Sequence, residues 1–242
     1  IAKLRNGEFE DWLLEAVLKD MKFSEIRSFE KNPGRANAIT SAYVLGVEWT
    51  DVVRRWKKLA KVTKADLVAF AQKTFLDHNY AVVYKHTGDD PSVMKVEKPA
   101  ITPIEVNREG ASGFAQEFLN WETPNVVPQF VDFKKVIKTN SLSKSLKLRS
   151  VRDRKSKLFR LHYCFDMGKL SDRRLGILTN YLHLLGTTQY TPTEIQQSFY
   201  RLGANFSAEC REEHFFFSLT GLEESFEASV ALMEHLLSDA QP

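Results

Sequence analysis

Apolar residues recur at helical spacing through the first third of the chain. Phe9, Trp12, Leu13, Ala16 and Val17 share one stripe and predict a first helix. Asn32-Pro33-Gly34 is expected to break the chain. A second helix then carries Ile39, Ala42, Tyr43 and Leu45, and Thr50 is expected to cap a third bearing Val52, Val53, Trp56, Leu59 and Ala60. Thr63 and Asp66 form a capping-box pattern ahead of Leu67, Phe70, Ala71 and Phe75. Asn79 to His86 is rich in β-branched and aromatic residues and predicts a strand closed by Gly88.

The texture changes over residues 89–129. Five prolines (Pro91, Pro99, Pro103, Pro124 and Pro128) fall there, with no sustained period. This predicts an extended linker laid over a surface, because Val96, Ile101, Ile104, Phe114, Phe118 and Trp121 are poorly suited to water.

Strand patterns follow at Phe130 to Thr139, Lys144 to Val151 and Leu158 to Asp166, the last closed by Gly168. Asp172 caps a helix expected to run through Leu185. Thr191-Pro192-Thr193-Glu194 then combines a capping box with proline at the first helical position, and the helix it opens stops at Gly203. Ala204, Phe206, Ala208 and Cys210 alternate with polar residues, as do Phe215, Phe217 and Leu219, which predicts two antiparallel strands. A last helix from Glu223 to Asp239 turns Phe226, Val230, Met233 and Leu237 toward a core. Helices packed on antiparallel sheets make the fold class α+β.

Composition changes this picture little. The 242 residues are 43% hydrophobic and 27% charged, with a net charge of +3. That is ordinary for a globular chain and too weakly basic to argue for nucleic acid. No apolar run is long enough to span a bilayer. Ile1 lies just ahead of a predicted helix and Pro242 directly follows one, so the sequence reads as an internal piece of a longer protein. Cys164 and Cys210 both fall in strand patterns, and the plain expectation is two buried small hydrophobes.

The order of motifs is more specific than any one of them. LFRLHYCFDMG (158–168) precedes LGTTQYTPTEIQQSFYRLGANFSAE (185–209), and FFFSLTGLEESFEASVALMEHLL (215–237) comes last. A strand ending in Asp-x-Gly is followed by a helix closing in Leu-Gly-Thr. A short helix leading to Leu-Gly-Ala comes next, then an aromatic strand ending in Gly-Leu before a long helix. This succession resembles the pitrilysin/insulinase family of zinc peptidases. The stretch from GEFEDWLLEAVLKDMKFSEI to AVVYKHTG resembles the tail of a preceding domain of the same family. The resemblance implies four similar α+β domains in two linked halves closing around a peptide-selecting chamber. Residues 1–88 would then end one half, 89–129 link the halves, and 130–242 begin the other. It also implies peptide substrates and a zinc ion for the longer protein, with the other half of the same chain as partner. A bacterial periplasmic or cell-envelope setting follows only from what such two-half relatives look like.

In that family the zinc helix carries His-x-x-Glu-His a few residues before Gly-Thr. Two histidines one helical turn apart face one ion, and the glutamate reaches the zinc-bound water. Laying this pattern on Gly186-Thr187 puts Ile177 and Tyr181 at the histidine positions and Asn180 at the glutamate. Ile cannot ligate, Tyr is a poor zinc ligand, and Asn cannot take a proton at neutral pH. The helix's one histidine, His183, would project from the wrong side. The chain is therefore expected to hold no catalytic, cofactor or metal-ligating residue. It reads as a non-catalytic segment of a zinc metallo-endopeptidase, forming chamber wall and hinge linker. The alternative is a segment of a zinc-less peptidase-like structural or binding subunit.

Other chemistry-bearing residues have plain readings. Cys210 and His214 have a spacing a metal could use, with Glu209, Glu212 and Glu213 near, but they span a predicted hairpin turn. His162 reads as a hydrogen-bonded strand histidine. His235 suits the end of a helix, where a cation meets the dipole. His78 flanks the predicted strand at 79–86 and His86 ends it. No Gly-x-Ser-x-Gly or phosphate loop occurs. From Lys134 to Lys157 ten basic residues stand against Asp153 alone. A solvated hairpin with edge lysines is the plain reading; a positive patch steering acidic peptide is the second. Nucleic acid is third, because aromatic side chains are not interleaved with the charge.

Overall fold

The computed structural model describes residues 1–88, 92, 94, 96–107, 110–153 and 155–242. Pro91 of the proline-rich stretch and Arg154 of the basic run lie outside the described residues. The chain forms two compact units: one joins Ile1–Tyr80 to Asp153–Pro242, and the other is Ala81–Arg152.

The first unit begins with five helices: α1 (Ala2–Asn6), α2 (Trp12–Phe29), α3 (Asn32–Val44), α4 (Trp49–Leu59) and α5 (Lys64–Thr74). The capping box at Thr63 is present: its backbone N–H donates to Asp66 at 2.8 Å, and its hydroxyl accepts from the Asp66 N–H at 3.2 Å. Other boundaries differ from expectation. Asn32-Pro33-Gly34 does not break the chain but opens α3, because proline in a first turn gives up only an N–H that has no helical partner. Glu48, not Thr50, precedes α4, and Thr50 lies within its first turn. Ala16, Phe23, Ala42 and Ala71 are buried, whereas Ile39, Tyr43 and Leu45, expected on a packed stripe, are exposed.

Residues 79–86 form no strand, and Tyr80, Val82, Val83 and Tyr84 are exposed. Strand propensity expresses fit to a pleated, half-buried surface. Among the described residues no neighbouring strand supplies a ladder for this stretch.

The second unit holds α6 (Gly113–Leu119), α7 (Phe133–Val136) and an antiparallel hairpin of β1 (Lys138–Ser141) and β2 (Lys147–Ser150). Neither short helix was expected. Ser112 starts α6 by accepting from the Ala115 N–H at 3.1 Å. Asp132 accepts from the Lys134 N–H at 3.1 Å, and this local bond turns the front of the expected strand at Phe130 to Thr139 into one helical turn. The apolar linker residues Val96, Ile101, Ile104, Phe114, Phe118 and Trp121 are exposed, not covered. Both hairpin strands are exposed along their length.

The first unit resumes with β3 (Leu158–Phe165), α8 (Arg174–Tyr181) and a 3-10 turn at Leu182–Leu184. After these come α9 (Pro192–Leu202), β4 (Ala204–Cys210), β5 (Phe215–Leu222) and α10 (Phe226–Ser238). The strands form one antiparallel sheet in the order β3-β5-β4. Its inner face carries Leu161, Tyr163, Phe206, Phe217 and Leu219 against α9 and α10, around a core of Leu182, Leu185, Ile195, Phe199, Met233 and Leu236. Gly203 ends α9 at φ 63°, a left-handed conformation that glycine adopts without the Cβ penalty. Helix α2 packs on α9 and touches β3 and β5. Among the described residues no helix is long and apolar enough to cross a membrane.

Candidate functional site

The Gly186-Thr187 segment is pinned to the end of the last helix. Gly186 and Gln241 exchange backbone hydrogen bonds at 3.0 and 2.9 Å, and the Thr188 N–H donates to Asp239 at 2.9 Å. His235 Nε2 lies 3.1 Å from the Thr187 hydroxyl. The aligned positions Ile177, Asn180 and Tyr181 are exposed on α8, and so is His183 in the turn that follows. None of them joins the one group of metal-ligating side chains found among the described residues.

That group lies at the far end of the sheet. Strand period two places Cys164 and Asp166 on the same side of the β3 line. The ladder pairs Phe165 with Phe215 and Cys164 with Phe216, which sets His214 opposite Asp166 on that same outer face. Ligand atoms of Cys164, Asp166 and His214 all lie within 4.8 Å of one another, and His214 Nε2 is 3.6 Å from Asp166 Oδ1. Cys164 and Asp166 are exposed and His214 is half-buried.

Backbone contacts hold the two segments together. The Lys169 N–H donates to Arg211 O and the Leu170 N–H to Glu212 O, both at 2.9 Å, while the Arg211 N–H closes the β4–β5 turn on His214 O at 2.8 Å. Gly168 sits between them. A Cβ there would meet Arg211 O and Glu212 O at 2.5 Å and His214 N at 2.6 Å.

The pairing suggested by sequence spacing, Cys210 with His214, is not the one the fold makes. Cys210 is registered with Phe215, so its side chain lies on the inner face and His214 lies on the outer one. The expectation of two buried cysteines also fails: Cys164 is exposed, Cys210 is half-buried, and both are free thiols. Opposite faces separate them. Sequence reasoning missed Cys164 and Asp166 as partners of His214. The signal was the i, i+2 spacing at the end of one strand combined with a histidine opening the strand that pairs with it.

Two further histidines make ordinary contacts. His162 is exposed on the outer face, with Nδ1 2.8 Å from the Ser218 hydroxyl, and His86 stacks on Tyr84. On the inner face Tyr163 donates to Glu234 at 2.6 Å. That hydrogen bond, then burial, then the carboxylate charge push its phenol up to about 12.

No protein-family model matches the chain, and no curated protein matches it. Solved structures do. One is a peptidase M16 inactive domain from Pseudomonas fluorescens, 24% identical over 43% of this chain and 27% of that one, with a TM-score of 0.39. Another is the periplasmic protease PqqL from Escherichia coli, 10% identical over 91% of this chain and 25% of that one, with a TM-score of 0.41. A third is a mutant of the ferredoxin protease FusC in complex with Arabidopsis ferredoxin, 10% identical over 87% and 25%, with a TM-score of 0.40. The chain thus spans about a quarter of the length of the solved structures to which it is similar.

Proposed function

We propose that this chain is a non-catalytic segment of a zinc-dependent metallo-endopeptidase of the pitrilysin/insulinase type. The observation that carries the reading is the order of the joints. Asp166-x-Gly168 closes β3, and Leu185-Gly186-Thr187 follows the helical segment that begins with α8. Leu202-Gly203-Ala204 joins α9 to β4, and Gly221-Leu222 ends β5 ahead of α10. The helix before Gly186-Thr187 carries no His-x-x-Glu-His.

In this reading the zinc and the water it activates belong to a domain elsewhere in the longer protein. No residue of this chain takes part in attack on the peptide carbonyl. Residues 1–88 close one half, 89–129 form the hinge linker, and 130–242 open the other half and line the chamber. Peptides are the substrates, and the other half of the same chain is the partner.

The test compares the longer protein with this chain. Chelator-sensitive cleavage of an unstructured peptide by the longer protein, and none by this chain, is the expected result. A longer protein without peptidase activity would overturn the catalytic reading and favour a peptidase-like binding subunit. Cleavage by this chain alone would overturn the non-catalytic assignment.

A further inference from the structure

We propose that Cys164, Asp166 and His214 form a zinc-binding site at the end of the β3–β5 ladder, separate from any catalytic zinc of the longer protein. The donor set is one thiolate, one imidazole and one carboxylate, which suits a divalent ion of borderline softness. Calcium and magnesium call for an all-oxygen shell. Zinc bonds of about 2.0–2.3 Å in a tetrahedral array set neighbouring donors about 3.5 Å apart. The His214 nitrogen and Asp166 oxygen are already 3.6 Å apart. All three donor atoms lie within 4.8 Å, so closure needs side-chain rotation of about an ångström and no movement of the ladder.

The backbone supplies the preorganisation. Cys164 lies within the β3 ladder. The segment after Asp166 is fastened to the β4–β5 turn by Lys169 and Leu170, and Gly168 permits that approach. Two ligands therefore come from one strand end and the third from the adjoining turn. On binding, the Cys164 thiol gives its proton to solvent and the thiolate takes the metal, while the imidazole binds as the neutral ring. The three side chains leave the fourth tetrahedral position to water. The ion would tie the end of β3 to the β4–β5 turn.

This site does not depend on the peptidase reading. Its readout is metal binding by this chain and not cleavage, so the two can fail separately.

The experiment is a titration of the purified metal-free chain with Zn2+ against a chromophoric chelator, with Co2+ as a spectroscopic probe. One zinc per chain and a thiolate-to-cobalt charge-transfer band are expected. Cys164→Ser should abolish the band and weaken zinc binding by more than about 100-fold, since loss of even an outer partner of a ligand commonly costs 10–100-fold. Asp166→Asn and His214→Ala should also weaken binding. Cys210→Ser should bind as the parent chain does, because that thiol lies on the other face. Thermal melts in the absence of metal check that each variant is folded. Binding well below one zinc per chain would overturn the proposal. So would a charge-transfer band that survives Cys164→Ser or is lost in Cys210→Ser.

Discussion

A methyl group at position 168 has nowhere to go. The atoms it would meet belong to the backbones of Arg211, Glu212 and His214, so they cannot rotate away as a side chain would. Gly168→Ala should destabilise the first unit by roughly 1–3 kcal/mol, the usual cost of forcing atoms into a packed site. Gly176 provides the contrast. It lies within α8, and a Cβ there would approach only the tip of Lys169, at 3.9 Å. Gly176→Ala should be stabilising by about 0.5–1 kcal/mol. Urea denaturation of both variants checks the pair, and equal effects would contradict the contact geometry. Tyr163 offers a separate reading by pH. Its phenol is raised from 10.0 to about 12, so the fold favours the protonated form. That contribution is complete below the unfolded value and lost as pH climbs through the folded one. In an ultraviolet titration the highest-pH phenol component should disappear in Tyr163→Phe. At this scale the sequence showed which residues could do chemistry but not which could meet. Cys210-x-x-x-His214 has a spacing a metal could use but reads as a charged turn, and a single step of strand register puts the two on opposite faces.

The helix starts that carry a capping box were legible, because such a box is complete within four residues and needs no distant partner; those at Asn32-Pro33-Gly34 and Thr50, which have none, were misplaced. Thr191 and Glu194 show this. The Thr191 N–H donates to the Glu194 carboxylate at 2.8 Å, and the Glu194 N–H donates back to the Thr191 hydroxyl at 3.3 Å. Thr191→Ala should cost about 1 kcal/mol in chemical denaturation. The bond from the Thr191 backbone, followed by that from its hydroxyl, holds the Glu194 carboxyl below its ordinary value. A depressed carboxyl stabilises the fold above the unfolded pKa and ceases to do so as pH falls through the folded one. The stability gap between the parent chain and Glu194→Gln should therefore be full at neutral pH and close on acidification. Strands were less legible, because half of each strand's bonding belongs to another segment. Leu158–Phe165 succeeded because Phe215–Leu222 lies beside it. Residues 79–86 have equal propensity and no such neighbour, and the front of the expected strand at 130–139 yielded to the local bond made by Asp132.

At the scale of the molecule, the first unit is assembled from segments far apart in the chain. Helix α2 brings Trp12 against Tyr200 and beneath the Arg201 guanidinium, which lies 4.2 Å from the ring centre. Lys19 donates to the Arg201 carbonyl at 3.1 Å, and Lys22 pairs with Glu224 at 3.6 Å. At the other end of α2, Glu30 accepts from Ser156 at 2.8 Å and pairs with Arg160. Burial pushes the Glu30 carboxyl up, but the bonds from Arg160 and Ser156 outweigh it and the net shift is downward. The exposed ion pairs add little individually; the packing of the Trp12 ring against Tyr200 and Arg201 carries more of the docking. These contacts were not legible in the sequence, which offers residues 1–88 and 130–242 as the end of one half and the start of the other without saying which of their side chains meet. It predicts the outcome of cutting the chain between them. Residues 96–107 and 120–131 are exposed and lack helix or strand, the setting in which proteases cut most readily. Limited proteolysis there should leave residues 1–80 and 153–242 eluting together on size exclusion under native conditions and separating in urea. Trp12→Ala, which removes both the ring contact and the cation–π contact, should make the nicked pair dissociate more readily, and lowering the pH through the Glu30 range should act in the same direction. Immediate separation of the parent chain's fragments at neutral pH would show that α2 does not bind the C-terminal layer strongly enough to hold the unit together.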